Sequence, residues 1–427
     1  MFNQNGLSLD QAPPLSVVFR FFLSGALFGL LLGVFIFFFK TAIFEAHRSE
    51  AIIVIHTLTL GIMLSFMFAA LFQMLPVIAG VKLTNPVQKA NWLQYPLVIG
   101  ILTLLMAFWT ALPWLYLGAS LLLGGSLLYI SLIMLQNLRK LEHHSSSSKG
   151  MLIALVSLVM VVVLALYMTA SLAGVLDGDY FMHIREGHYS FGLFGWVSLL
   201  IISISFQVIE MFYVTPPYPK IVSASLPLTL FALIMVTFMV GSFIPLAGNI
   251  AEILLGLLLI GYALLTLLRL TQKKRPLSDA TIWFWRVGLV SLILSMLSML
   301  GVMYSPNEIL HTLSSLFFTF FALSIVFAMF YKIVPFLTWF HLNAQGYFTA
   351  PMMHEVIHPK TALKHLYIHL ATLTAFLLSL FVPSFILLAA LLTLLSFGWM
   401  TYQIIHAWKL YQHTQKTGEK FEMGNIK

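Results

Sequence analysis

Runs of about twenty consecutive apolar residues recur along this chain, and each is the length a helix needs to cross a roughly 30 Å hydrocarbon layer. With 60% hydrophobic and 8% charged residues, the chain departs from soluble proteins, in which about a quarter of residues are charged. No soluble domain of useful size remains between the runs. They are continuous and lack the period-two alternation of barrel strands, so they predict helices. Twelve spans are expected, near 17–39, 51–78, 92–110, 112–137, 151–175, 189–214, 221–243, 247–270, 281–304, 307–337, 364–382 and 384–411. The first is too long for a signal-peptide core and lacks a small-residue cleavage site, so it is read as a membrane helix.

The basic balance, pI near 9.5, points to a lipid bilayer and not to nucleic acid once the charges are placed. With the N-terminus inside, Lys82, Lys89, Arg139, Lys140, Lys149, Lys220, Lys273, Lys274, Arg275, Lys360 and the basic C-terminal tail (412–427) fall on one side. Only Lys40, Arg48 and Arg185 fall on the other. This is the positive-inside pattern, and it predicts a bacterial-type inner (plasma) membrane protein with both termini in the cytoplasm. The chain has no cysteine, which excludes disulfides, thiolate ligands, iron–sulfur clusters and CxxCH haem attachment. Any metal must be held by His, Met or carboxylate. The 21 methionines form no repeated Met-x-x-Met ladder and read as apolar filler.

The serine run Ser145–Ser148, with His143 and His144, reads as a flexible linker, and Lys273–Arg275 followed by Pro276 as a second break. These breaks divide a single membrane domain, 1–427, into four-helix units near 17–137, 151–270 and 281–411. The second helix of each unit carries a histidine and a related pattern. His56 opens HTLTLG and leads to FQMLP at Pro76. His188 opens HYSFGLFGWV and leads to FQVIE, then Thr215-Pro216-Pro217. His311 opens HTLSS and leads to FYKIVP at Pro335. Threefold internal similarity of this kind predicts an architecture of repeated arcs.

A histidine inside a bilayer is costly unless paired, hydrogen-bonded or ligating, so each of the three is a candidate site. Neutral imidazole is the commonest metal ligand among side chains and a frequent axial ligand of haem iron. His56 and His311 are expected about five residues, roughly 7.5 Å of helix, inside the outer boundary. Two readings stand for them: haem ligands, or interior histidines bonded to helix Ser and Thr groups.

The Gly192-x-x-Gly195-Trp196-Val197 motif, with His188 four residues before it, resembles the tenth-helix motif of the cbb3-type branch of haem–copper oxidases. The spacing from His56 through Gly61 and Ala70 to Pro76 resembles the same motif on helix two, and Phe330 to Pro335 looks like the end of that helix. Across all twelve spans the chain is similar to subunit I of the haem–copper oxidase superfamily. That family has twelve helices in three four-helix arcs, with metal ligands on helices two, six, seven and ten towards the outer face. The chain departs from it in having no histidine pair on the seventh span, Ile221 to Phe243, and no His-x-His after His311, where Thr312 and Leu313 follow. A proton-pumping oxygen reductase is therefore not expected. The closer resemblance is to NnrS-type membrane proteins linked to haem, copper and nitric-oxide stress, with H-x-x-x-x-G helix starts such as His56 to Gly61.

The resemblance implies haem b, one or two per chain, with His56 and His311 clamping one iron and His188 serving a second haem or copper. It also implies a quinol or a separate cytochrome as redox partner. His183, with Asp177, Asp179 and Glu186, shares the outer loop before His188, as a copper site or as a solvated polar loop. Arg48 and Arg185, near those histidines in sequence, are candidates for haem propionates, because guanidinium pairs bidentately with carboxylate.

His354-Glu355-Val356-Ile357-His358 matches HExxH, a zinc-peptidase string, though Pro359 follows it immediately. With His365 and His369 it makes a histidine-rich inner cluster. The last two share a helix face at i, i+4, and the cluster reads as metal ligands or as a solvated interfacial loop. Glu210 and Glu252 are acids within spans and candidate proton-relay groups. Electron transfer or nitric-oxide-related redox chemistry is the expected function. Haem or copper transport, and an HExxH metallopeptidase, are the rivals.

Overall fold

The computed structural model describes residues 12–81, 83–274 and 279–420. Lys82, Arg275, Pro276 and the last part of the basic tail, 421–427, lie outside the described residues. Among the described residues no β-strand occurs, and Tyr347 and Lys420 form an isolated bridge. Among the described residues twelve helices are long and apolar enough to cross a membrane: α1 (Leu15–Phe44), α2 (Ser49–Ala79), α3 (Pro86–Thr110), α4 (Pro113–Arg139), α5 (Ser146–Leu172), α6 (Phe181–Tyr213), α7 (Lys220–Val240), α8 (Pro245–Thr271), α9 (Ala280–Tyr304), α10 (Glu308–Ala344), α11 (Pro359–Ser379) and α12 (Phe385–Thr417). The chain is an all-α, multi-pass membrane protein, as its hydropathy predicts.

Several helices outrun their predicted spans. α6 begins at Phe181, eight residues before the expected start, and α10 and α12 run on to Ala344 and Thr417. Hydropathy marks only the stretch that suits hydrocarbon, whereas the backbone stays helical wherever capping and side-chain packing support it. Proline at the first helical turn opens α3, α4, α8 and α11, where its missing N–H costs nothing and its fixed φ already suits the helix. The serine run is not a flexible linker. Ser145 caps α5 by accepting from the Ser148 amide at 3.1 Å, and Ser147 and Ser148 are buried.

Part of the repeat seen in the sequence is present in the backbone. Ser49, Pro113 and Arg139 bound helices whose counterparts are bounded by Phe181, Pro245 and Thr271, 132 residues on in each case. α2 and α6 each contain an eight-residue π-helical stretch, Thr57–Leu64 and Phe191–Ser198. Such wide turns are rare and collect at functional sites. Each holds a glycine in close approach to the preceding helix: a Cβ on Gly61 would lie 2.6 Å from the Phe28 ring of α1, and one on Gly195 2.8 Å from Ser157 of α5. No π-helical stretch interrupts α10.

The helices gather into two compact units, residues 73–277 with 286–323 and residues 13–72 with 278–285 and 324–427. Lipid tails are as apolar as leucine, so helices in a bilayer associate by close packing, which small residues permit. In the first unit, a Cβ at Gly150 of α5 would meet Ser203 of α6, one at Gly124 of α4 would meet Leu166 of α5, and one at Gly256 of α8 would approach Leu300 of α9. In the second unit, Gly25, Gly29 and Gly33 recur every four residues along α1. They receive Phe66 of α2 and then Phe397 and Leu394 of α12.

Candidate functional site

His56 lies seven residues into α2, about 10 Å along the axis from Ser49, and is half-buried. Its Nδ1 is 2.8 Å from the carbonyl oxygen of Ile52. A carbonyl can only accept, so Nδ1 carries the proton and, in the neutral ring, Nε2 is the basic nitrogen. His188 likewise lies seven residues into α6 and is half-buried, not at the helix start as the sequence suggests. Its Nδ1 is 3.2 Å from the carbonyl oxygen of Val161 in α5. Donation from one ring nitrogen to a carbonyl is how a ligating histidine is normally oriented and made more basic. Both are followed by the π-helical stretches. His311 differs: it is the fourth residue of α10, exposed, and its ring makes no hydrogen bond among the described residues.

The polar groups around these histidines are largely committed elsewhere. Arg48 pairs with Glu50 at 2.9 Å and Glu45 at 3.5 Å, and those carboxylates raise its pKa further. It has local carboxylate partners on its own segment. Arg185 is half-buried near the start of α6, while Asp177, Asp179 and Glu186 are exposed. His183 stacks on Phe238 with centroids 4.6 Å apart, and its ring lies 3.2 Å from the Ser242 hydroxyl. Among the described residues no three His, Asp or Glu side chains form a group that could hold a metal ion. Glu210 accepts from the Tyr218 amide at 3.0 Å and so pins the chain after α6. The Tyr218 hydroxyl meets Thr266 at 3.0 Å, and burial pushes its pKa up to about 12.

A second histidine environment lies inside the second unit. His365 and His369 of α11 are not in a solvated loop; they are 0% and 2% exposed. The solvated reading fails because α11 begins at Pro359, which carries both rings into the packed helices. His365 Nδ1 is 2.9 Å from the Tyr331 hydroxyl of α10, and its Nε2 is 2.7 Å from the Ser396 hydroxyl of α12. His369 Nε2 is 2.8 Å from the Ser324 hydroxyl of α10. Phe327 and Phe284 each pack against both imidazoles. Aromatic carbon, not a third ligand, therefore flanks the pair. Ser324 and Tyr331 stand seven residues apart on α10, two helical turns and one face. That spacing, set beside the i, i+4 histidines, is the signal of this environment that the sequence carries.

The HExxH string does not form a zinc-peptidase helix. His354 and Glu355 sit in a single turn, Met353–Val356, where Glu355 accepts from the Met352 amide at 2.7 Å. His358 lies beyond the break and caps α11, accepting from the Lys360 amide at 3.2 Å. The zinc motif needs both histidines on one helical face, and Pro359 starts a new helix after the second.

Next to Tyr331 on α10, Lys332 donates to Asp279 at 2.5 Å, and Asp279 also accepts from the Thr281 and Ile282 amides at the start of α9. Burial raises the Asp279 carboxyl, but the charge and hydrogen bond of Lys332, with the bonds from Thr281 and Ile282, outweigh it and hold the group below its ordinary 3.8. The stability it contributes is present in full above pH 3.8 and is lost as pH falls through the lowered value. Asp279→Asn is expected to cost about 0.5 kcal/mol near neutral pH, since the pair is partly exposed. In thermal melts of the detergent-purified protein, the gap to wild type should close in acid below pH 3.8.

Fold and site together define a multi-pass membrane protein with two kinds of histidine, one oriented by backbone carbonyls and one enclosed by hydroxyls. Comparison with protein-family models and with curated proteins finds no match.

Proposed function

We propose that the chain is a membrane-embedded b-type haem protein of the oxidase-like, NnrS-type plan, working in electron transfer or nitric-oxide-related redox chemistry. His56 and His188 are the iron ligands in this reading, and His311 is not. The observation that carries it is their matched setting: each lies seven residues into its helix, donates Nδ1–H to a backbone carbonyl, and precedes a π-helical stretch. The donor set fits haem iron, because a neutral imidazole oriented through Nδ1 presents a basic Nε2. Haem would supply a one-electron couple. The protein's own groups would fix ligand orientation and basicity. The asymmetry of Lys and Arg between alternate loops supports a bacterial-type inner membrane with both termini in the cytoplasm.

An optical spectrum of the detergent-purified protein, oxidised and dithionite-reduced, with a pyridine haemochrome assay, tests this reading. A sharp reduced α-band with two haems per chain is expected. Colourless protein from haem-replete cells would overturn it.

A further inference from the structure

Lys40 ends the apolar run of α1 and opens the 3-10 turn Lys40–Phe44. Its ammonium forms no ion pair or hydrogen bond among the described residues, and the nearest acids along the chain, Glu45 and Glu50, are both held by Arg48 at 3.5 and 2.9 Å. Within the second unit Lys40 lines a cavity of about 230 Å³ between the end of α1 and the start of α12, together with Thr41, Pro383, Ser384, Ile386 and Leu387. We propose that this cavity binds the phosphate group of a membrane lipid, with the Lys40 ammonium and the Thr41 and Ser384 hydroxyls as its donors. This inference is independent of haem.

Three observations support it. The hydroxyls of Thr41 and Ser384 make no hydrogen bond among the described residues, whereas Thr57, Thr393 and Thr401 of the same unit donate to carbonyls four residues back. A cation and two neutral donors, none with a protein partner, thus border one space, and phosphate oxygens accept from all three. Lys40 has φ 52° and ψ −134°, a combination that L side chains rarely adopt and glycine takes freely. Strain of this kind collects at ligand clamps; glycine would relieve it, but only a cationic side chain brings charge to the cavity. Last, Leu387 in the cavity wall begins a stripe on α12: Leu387, Leu391 and Leu395 follow at i, i+4 spacing and are 36%, 55% and 49% exposed.

The stripe decides between two sources of the same chemistry. Free phosphate would use the three donors and nothing else, whereas a lipid also lays an acyl chain along the exposed leucines that lead from the cavity into the hydrocarbon. The space suits a headgroup, since it is several times the roughly 30 Å³ that a water molecule occupies. Its position suits one too, because Lys40 stands where the apolar run of α1 gives way to the polar segment that holds Glu45 and Arg48.

Native mass spectrometry of the full chain in detergent, titrated with dioleoyl phosphatidylglycerol or with dioleoylglycerol, which has the same chains and no phosphate, tests the proposal. Wild type should retain a first phosphatidylglycerol and no dioleoylglycerol. Lys40→Gln should weaken that first adduct about tenfold, the worth of one charge-assisted hydrogen bond, and Ser384→Ala should weaken it to a smaller extent. Lys140→Gln, which removes an equal charge outside the cavity, should leave it unchanged, and inorganic phosphate in large excess should not displace it. Equal loss in the Lys40 and Lys140 variants, or no loss in either, would overturn the proposal and leave Lys40 as a lysine that only snorkels to water. Equal retention of dioleoylglycerol, or displacement by inorganic phosphate, would overturn it as well.

Discussion

His56→Ala and His188→Ala will each lower haem content, and His311→Ala will leave it at the wild-type level. The two ligand candidates are oriented by backbone carbonyls of Ile52 and Val161, which no side-chain substitution removes, so truncating the imidazole deletes the donor and leaves its cradle intact. A half-buried histidine replaced by alanine should cost little in fold, and circular dichroism of the variants should match wild type. Haem per chain by pyridine haemochrome is the deciding number. Each histidine is expected to hold a haem of its own, so each substitution should remove one haem per chain. Loss on His311→Ala equal to that on His56→Ala would restore the pairing expected from the oxidase resemblance and defeat the assignment of His188.

The largest stability effect is expected at Gly29. A Cβ there would lie 2.1 Å from the Phe397 ring, which is itself 2% exposed and packed against Phe327. The ring is enclosed, so it or the packing of α1 on α12 must shift. Gly29→Ala is expected to cost about 1–3 kcal/mol, in the range found for overpacked cores, and Gly29→Leu to prevent recovery of folded protein. Gly125 of α4 is the control, because a Cβ there meets nothing within 4 Å. Gly125→Ala should be neutral or stabilise by about 0.5–1 kcal/mol through the lower backbone entropy of alanine. Unfolding by SDS titration in mixed micelles reads both.

The twelve helices were legible because a bilayer imposes one length and one composition on every span. Their ends were not: the eight additional residues at the start of α6 include Arg185, Glu186 and His188, which hydropathy assigns to a loop but which α6 carries in helical form. Hydropathy therefore places His188 at a boundary, whereas α6 carries it seven residues into the helix, as α2 carries His56. The sequence pattern drew His311 into the same set, yet α10 starts only three residues earlier, and burial there comes from tertiary packing that the pattern does not encode. The inner cluster was hidden for a related reason. His354, His358, His365 and His369 look alike as a run, and only the helix start at Pro359 separates two exposed rings from two enclosed ones. The hydroxyl of Ser396 could not be singled out from sequence, since Ser and Thr in spans usually bond their own helix.

The wide turns in α2 and α6 also decide which faces those helices present. A π-helical turn closes its hydrogen bond five residues back where an α-helical one closes it four back, so the residues beyond each stretch are rotated relative to the histidine before it. The stretches have equal length, with Gly61 and Gly195 fifth in each, but Thr57 follows His56 directly whereas Phe191 stands three residues after His188. A side chain at a given distance beyond His56 therefore does not share the facing of its numerical counterpart beyond His188.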